Sequence, residues 1–275
     1  MIGTGRWSRV ALAIWTIALM AFLFIPILLI VLYAFNPSNV QSWPLEGLST
    51  KWFSSTWNNA EMRHAFGLSL RAGFFATAIA LLLGSMGAFA VHRFRFFGRE
   101  TVSFIFILPL ALPGIITGMA LNSAIVFSGV SFSLMTIVIG HATFCIVVVY
   151  NNVLARLRRT QTSLVEASMD LGADGWQTFR FVTLPVIATA LVAGGLLAFA
   201  LSFDEIVVTI FTAGAQNTLP IWIFGNIRLG QQLPQVNVVV LFVILLTLIP
   251  VALAQRLTRD TGILRSRARP AAAAT

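Results

Sequence analysis

The chain has 275 residues, 58% of them hydrophobic and only 10% charged, with mean hydropathy +0.89 and net charge +9. A soluble domain carries roughly a quarter charged residues, so the composition excludes a globular enzyme with an apolar core and indicates a polytopic membrane protein. The single Cys145 excludes an internal disulfide and gives redox chemistry no support.

Six apolar stretches follow one another at about 10–34, 66–91, 101–123, 132–154, 186–213 and 234–255. Each is long enough to cross a hydrocarbon core of about 30 Å. Helices are the expected spanning form, because lipid cannot satisfy open backbone groups. A β-barrel would show alternating segments of about ten residues, and these runs do not alternate. The first stretch follows Arg6 and Arg9. At about 25 residues it exceeds the apolar region of a signal peptide, and no small-residue cleavage pattern closes it, so it reads as an uncleaved span. The segment after it, about 35–65, carries Pro37, Pro44, Gly47 and the aromatics Trp43, Trp52, Phe53 and Trp57. Tryptophans there suit an interfacial belt, or a contact with an extracytoplasmic partner. Pro26, Pro109, Pro113-Gly114 and Pro250 interrupt spans and predict bends. No internal inverted repeat is visible.

The charge is distributed by side. Before span one, between spans two and three, between four and five, and after span six lie 14 of the 18 basic residues. Lys51, Arg63, Arg71 and Arg228 fall on the other side. The positive-inside rule places both termini in the cytoplasm. The chain thus divides into a cytoplasmic N-terminus at 1–9, a six-span domain at 10–255 and a basic cytoplasmic tail at 256–275. The tail suits anionic lipid headgroups. Topology accounts for the basicity, and no nucleic acid partner is expected.

The most informative segment lies between spans four and five. Ser163-Leu164-Val165-Glu166 has the form of a capping box and predicts the start of a short helix. Leu164, Ala167, Ser168 and Leu171 recur at helical spacing as a small, partly apolar face, beside Glu166 and Asp170. Gly172 suits a left-handed C-terminal position. Asp174 suits the cap of a second short helix carrying Trp176 and Phe179. Pro185, after Leu184, suits the first turn of span five. An interfacial helix lying on lipid is the alternative, but its polar face would be basic, and this one is acidic.

This segment resembles the signature of bacterial ABC-importer permeases: Glu-Ala-Ala, three residues, Gly, nine residues, then Ile-x-Leu-Pro. Every spacing is kept, with Ser168 at the second Ala and Val182 at the Ile. The resemblance implies an all-α, six-span type I permease fold. It also implies that the segment is a coupling helix seated in a groove of an ATPase, with Ser163, Glu166, Ala167, Asp170, Leu171, Gly172, Leu184 and Pro185 as coupling positions. Phe35-Asn36-Pro37-Ser38, Leu48-Ser49-Thr50-Lys51-Trp52, Leu112-Pro113-Gly114, Leu201-Ser202-Phe203-Asp204-Glu205 and Thr218-Leu219-Pro220 resemble the spermidine/putrescine branch, although Glu205 stands where an aspartate is expected. The partners implied are a second permease, two ATPase subunits, an extracytoplasmic solute-binding protein and membrane lipid. The place implied is the bacterial inner membrane.

Asp204 and Glu205 form the only adjacent acidic pair within a span, and the distance to the outer end of span five is roughly 13 Å at 1.5 Å per residue. A charge at that depth costs at least about 3 kcal/mol unless paired or hydrated. The pair therefore reads either as a cation pathway or as a structural ion pair with Arg71, and the two acids can have different roles. Phe203 and Trp222 are candidates for packing against substrate methylenes, or are ordinary core. There is no P-loop, since Lys51, the only lysine, lacks the glycine context. ATP and Mg are therefore expected on a partner, with no cofactor on this chain. His64, His92 and His141 are scattered, so no metal site is expected, and His141 reads as a hydrogen-bonded core residue. No nucleophile elbow supports catalysis. The readings left beside a polyamine permease are a permease for another small solute, an ion-driven secondary transporter using Asp204 or Glu205, and a channel or membrane-anchored assembly factor.

Overall fold

The computed structural model describes residues 6–248, and all regular structure in them is helical. Packing divides the chain into two compact units, one made by the chain up to Ala60 together with Ile223 onward, the other by Glu61–Trp222.

In the first unit, α1 spans Arg6–Ala34 with Pro26 inside it. Its Trp15, Phe22 and Leu23 are exposed, as befits a surface whose solvent is lipid. The outer segment then folds on itself. Trp52 Nε1 donates to Asn36 O at 2.9 Å, the Phe35 and Phe53 rings lie 5.1 Å apart, and α2 covers Lys51–Asn58. The expected tryptophan belt therefore divides: Trp52 holds the loop together, while Trp43 and Trp57 stay exposed. Asn59 Nδ2 donates to Gln232 Oε1 and Gln235 Oε1, both at 2.8 Å, and so ties this loop to the start of the apolar helix Leu233–Leu248.

The second unit is built on small residues. Helix α3, Ala60–Arg93, begins six residues before the expected span. It buries Ala65, Ala72, Ala76, Ala80, Gly84 and Ala88 along one face. Phe74, Leu82 and Met86 point outward. Such stripes let helix backbones approach closely where no hydrophobic effect drives association. A methyl group on Gly84 would stand 2.8 Å from Ile146 O and 3.0 Å from Val149 Cβ of α6, Leu134–Arg159.

Two expected spans are broken. The third is a pair, α4 (Arg99–Ala111) and α5 (Gly114–Phe127), bent by 104°. Leu112, extended because Pro113 follows it, makes the corner. The fifth is α9, Leu184–Phe203, which stops before α10, Val207–Thr212. The chain continues through α11, Leu219–Leu229. Among the described residues four helices are long and apolar enough to span alone, and the bent pair makes a fifth. The sixth expected stretch is the helix Leu233–Leu248; residues 249–255, with Pro250, and the basic tail lie outside the described residues.

Candidate functional site: a coupling segment and an acidic break

The segment after α6 folds as helix, glycine turn and helix. Helix α7 covers Thr162–Asp170. Its cap is Gln161, so the expected Ser163–Glu166 box does not form. Starting at Thr162 puts Ser163 inside the first turn, where its hydroxyl is no longer at the cap. The C-terminus follows the expected rule. Gly172 has φ +88°, Ala173 N donates to Ser168 O at 3.1 Å and Gly172 N donates to Met169 O at 2.9 Å. This pair of bonds closes a helix with a left-handed residue.

Asp174 then starts the next helix through a reciprocal box: Gln177 N donates to Asp174 Oδ1 at 2.8 Å, and Asp174 N donates to Gln177 Oε1 at 3.0 Å. This helix, α8 (Gly175–Thr178), is not separate from span five as the sequence suggested. It passes through a π-helical turn at Phe179–Thr183 straight into α9. Pro185 explains the turn. Lacking an N–H and crowding the carbonyl of the preceding turn, it fits a helix only where the ladder is loosened.

Ser168, the departure from the family pattern, has a bond of its own. Its Oγ donates to Val165 O at 2.8 Å and lies 3.0 Å from Thr178 Oγ1, joining α7 to α8. Glu166, Ala167, Asp170 and Gly172 are exposed. Leu171 and Trp176 are exposed as well, at 89% and 65%. A rigid, capped element thus presents apolar side chains flanked by carboxylates, a surface suited to a protein partner.

The acidic pair sits at the break between α9 and α10. Asp204 is exposed, and its amide returns to Ala200 O at 3.2 Å. Glu205 turns the other way: its Oε1 accepts from Val208 N at 2.9 Å, capping the amide end of α10. The two acids thus have different surroundings. Neither is joined to Arg71, which donates from Nε to Gly67 O at 3.2 Å. Because the helix ends at Phe203, depth reckoned at a helical rise does not extend through the pair. Phe203 packs against Phe199 and Phe66 at 6.0 and 6.2 Å. Trp222 is buried, at 4% exposure.

The element that fixes the break is α6. His141 is buried, with Nδ1 2.7 Å from Ser202 Oγ and Nε2 2.8 Å from Thr209 Oγ1. The sequence suggested a bonded core histidine but not its partners. Nothing in the order of residues points from position 141 to 202 and 209. Asn122 of α5 adds a further tie, donating to Phe211 O at 2.7 Å. An apolar groove of about 860 Å³ between α3 and α9, lined by Leu81, Met86, Phe89, Leu191 and Phe199, carries no charged side chain. It offers a cation nothing. Among the described residues no cluster of ligands could hold a metal ion.

Spans built on small-residue faces, a capped helix–turn–helix left exposed between two of them, and a broken fifth span define an inner-membrane permease subunit of an ABC importer. The chain belongs to the family of binding-protein-dependent transport system inner membrane components, whose model matches residues 80–262. It is 32% identical over 245 residues to the spermidine/putrescine transport system permease protein PotC of Escherichia coli, covering 88% of this chain and 92% of that one. It is 37% identical over 227 residues to the putrescine transport system permease protein PotI of the same organism, covering 78% and 79%. The Escherichia coli sulfate transport system permease protein CysT is 31% identical over 168 residues, covering 57% and 61%. The fold is similar to that of a chain in the crystal structure of a bacterial ABC transporter involved in the import of the acidic polysaccharide alginate. The TM-score is 0.68 at 17% identity, covering 93% of this chain and 99% of that one.

Proposed function

We propose that this chain forms part of the solute pathway of an ATP-driven importer of polyamines. Asp204 is the residue of the path and Glu205 the cap that shapes it. The observation that carries this reading is the exposed Asp204 carboxylate at the break between α9 and α10. An exposed carboxylate at the end of an apolar helix attracts a cation, and a polyamine supplies that cation. The two polyamine permeases among the relatives, similar over more than three quarters of the chain, support the same solute class.

ATP and Mg are held by two partner ATPase subunits, and this chain hydrolyses nothing. The exposed face around Ala167, Leu171 and Trp176, with Glu166 and Asp170 at its edge, is the seat for one of them. A second, different permease completes the path, and a solute-binding protein delivers from outside. Both termini lie in the cytoplasm, which puts the coupling segment and its arginine-rich flanks on the ATPase side. Closure of the ATPase dimer moves the segment as a lever, and because α8 continues through the π-helical turn into α9, the push travels along the helix to the break.

The test is uptake of labelled putrescine and spermidine by proteoliposomes holding the whole complex. Uptake that requires ATP and is weakened by Asp204→Asn supports the reading. Uptake driven by a proton or sodium gradient without ATP would replace it with a secondary transporter.

A further inference from the structure

The break in span five is spanned by a directed chain of hydrogen bonds. Thr209 Oγ1 donates to the Glu205 carbonyl at 2.6 Å. A hydroxyl has one proton, so toward His141, 2.8 Å away, Thr209 can only accept. His141 Nε2 therefore carries a proton and donates. In the neutral ring Nδ1 is then an acceptor, and Ser202 Oγ at 2.7 Å is its donor. The proton order is Ser202 to His141 to Thr209 to the carbonyl of Glu205. Its two ends lie in the last turn of α9 and at the first turn of α10.

His141, Ser202 and Thr209 are at most 2% exposed. A buried polar group left without its partner is unfavourable, so none of the three can shift alone. Gly140 lets α6 come close enough: a Cβ there would stand 3.1 Å from Thr212 Cγ2 and 3.2 Å from Val208 Cγ1.

We propose that His141 is the positioning residue of the acidic break: bonded to Ser202 on one side and Thr209 on the other, its ring fixes α10 against α9 and so sets where the Asp204 and Glu205 carboxylates stand. This rests on the reading of the break as the cation path. His141 touches no solute in this account; it acts through the two hydroxyls. Glu205 is held twice, by its carbonyl through Thr209 and by its carboxylate through Val208 N. Asp204, one residue before it, inherits its placement from both.

The test compares Thr209→Val, which keeps the shape and removes the hydroxyl, with Thr209→Ser, which keeps the hydroxyl, and with Ser202→Ala. Putrescine uptake by the complete complex is measured for KM and for Vmax per assembled complex. Thr209→Val is expected to raise KM about tenfold, Ser202→Ala about threefold, and Thr209→Ser hardly at all, in line with the loss or retention of a buried hydrogen bond. A purely structural role would instead lower the amount of assembled complex at unchanged KM, and that result overturns the proposal. Asp204→Asn is run alongside. If it raises KM while Thr209→Val and Ser202→Ala do not, positioning fails and the cation path stands. If it leaves KM unchanged, the cation path fails and the proposal goes with it.

Discussion

The hydrogen bonds that shape the coupling segment between Thr162 and Thr178 reach no further than ten residues, whereas those that shape the acidic break join residues 61 and 68 positions apart. The first region is therefore a local device, set by a left-handed glycine and a reciprocal cap and left exposed for a partner. The second is a tertiary device, in which a ring from α6 holds two helix ends together. Local rules suit an element that must keep its form while its surroundings move. A break within an apolar span needs help from elsewhere, because lipid satisfies none of its backbone groups.

The local half of this comparison is broken most severely at Gly172. Its φ is +88° and nothing would meet an added Cβ within 4 Å, so a substitution there acts on backbone conformation alone. Gly172→Val strains the turn by about 1–2 kcal/mol or more, and ATPase retention and uptake are expected to fall at least about tenfold. Gly172→Asn, better tolerated in the left-handed region, should retain most of both. Co-purification of the ATPase checks this, and equal loss in the two variants would point away from the turn.

The tertiary half is tested by Gly140→Val. Crowding Thr212 and Val208 separates α6 from α10, a strain of about 1–3 kcal/mol. Uptake should fall several-fold while the ATPase stays bound, whereas Gly172→Val loses both. A smaller effect is expected from Asp174→Ala, which removes the Gln177 cap and about 1 kcal/mol of helix stability; ATP-driven uptake at elevated temperature would show it. Ser168→Ala is expected to be the mildest. It removes the Ser168–Thr178 link, an exchange of about 0.5–1.5 kcal/mol, and restores the alanine of the family pattern. A severe loss there would mean that the hydroxyl itself meets the partner.

The same contrast decides what was legible in the sequence. Gly172 and Asp174 were readable because left-handed turns and caps are written in residues a few positions apart. The Ser163 box failed because a helix can begin two residues early at little cost, and the box has no tertiary partner to fix it. The bend at Pro113 was announced by its proline. The break after Phe203 contains neither proline nor glycine, so a hydropathy reading ran straight through it. Its cause is the bonding of His141 to Ser202 and Thr209, together with Glu205 capping α10, and neither follows from spacing. Trp222 fits a solute contact or core by residue type, and its 4% exposure is not a quantity that spacing carries.

The central claim is that Asp204 receives a cation in an ATP-driven importer. Its most direct test is the rate of labelled putrescine uptake against concentration, in proteoliposomes with ATP inside, for complexes carrying wild type or Asp204→Asn. The account predicts ATP-dependent uptake whose KM rises about tenfold or more in the variant, the effect of losing the carboxylate that meets the cation, with ATPase assembly intact. Unchanged KM in a fully assembled Asp204→Asn complex would contradict it.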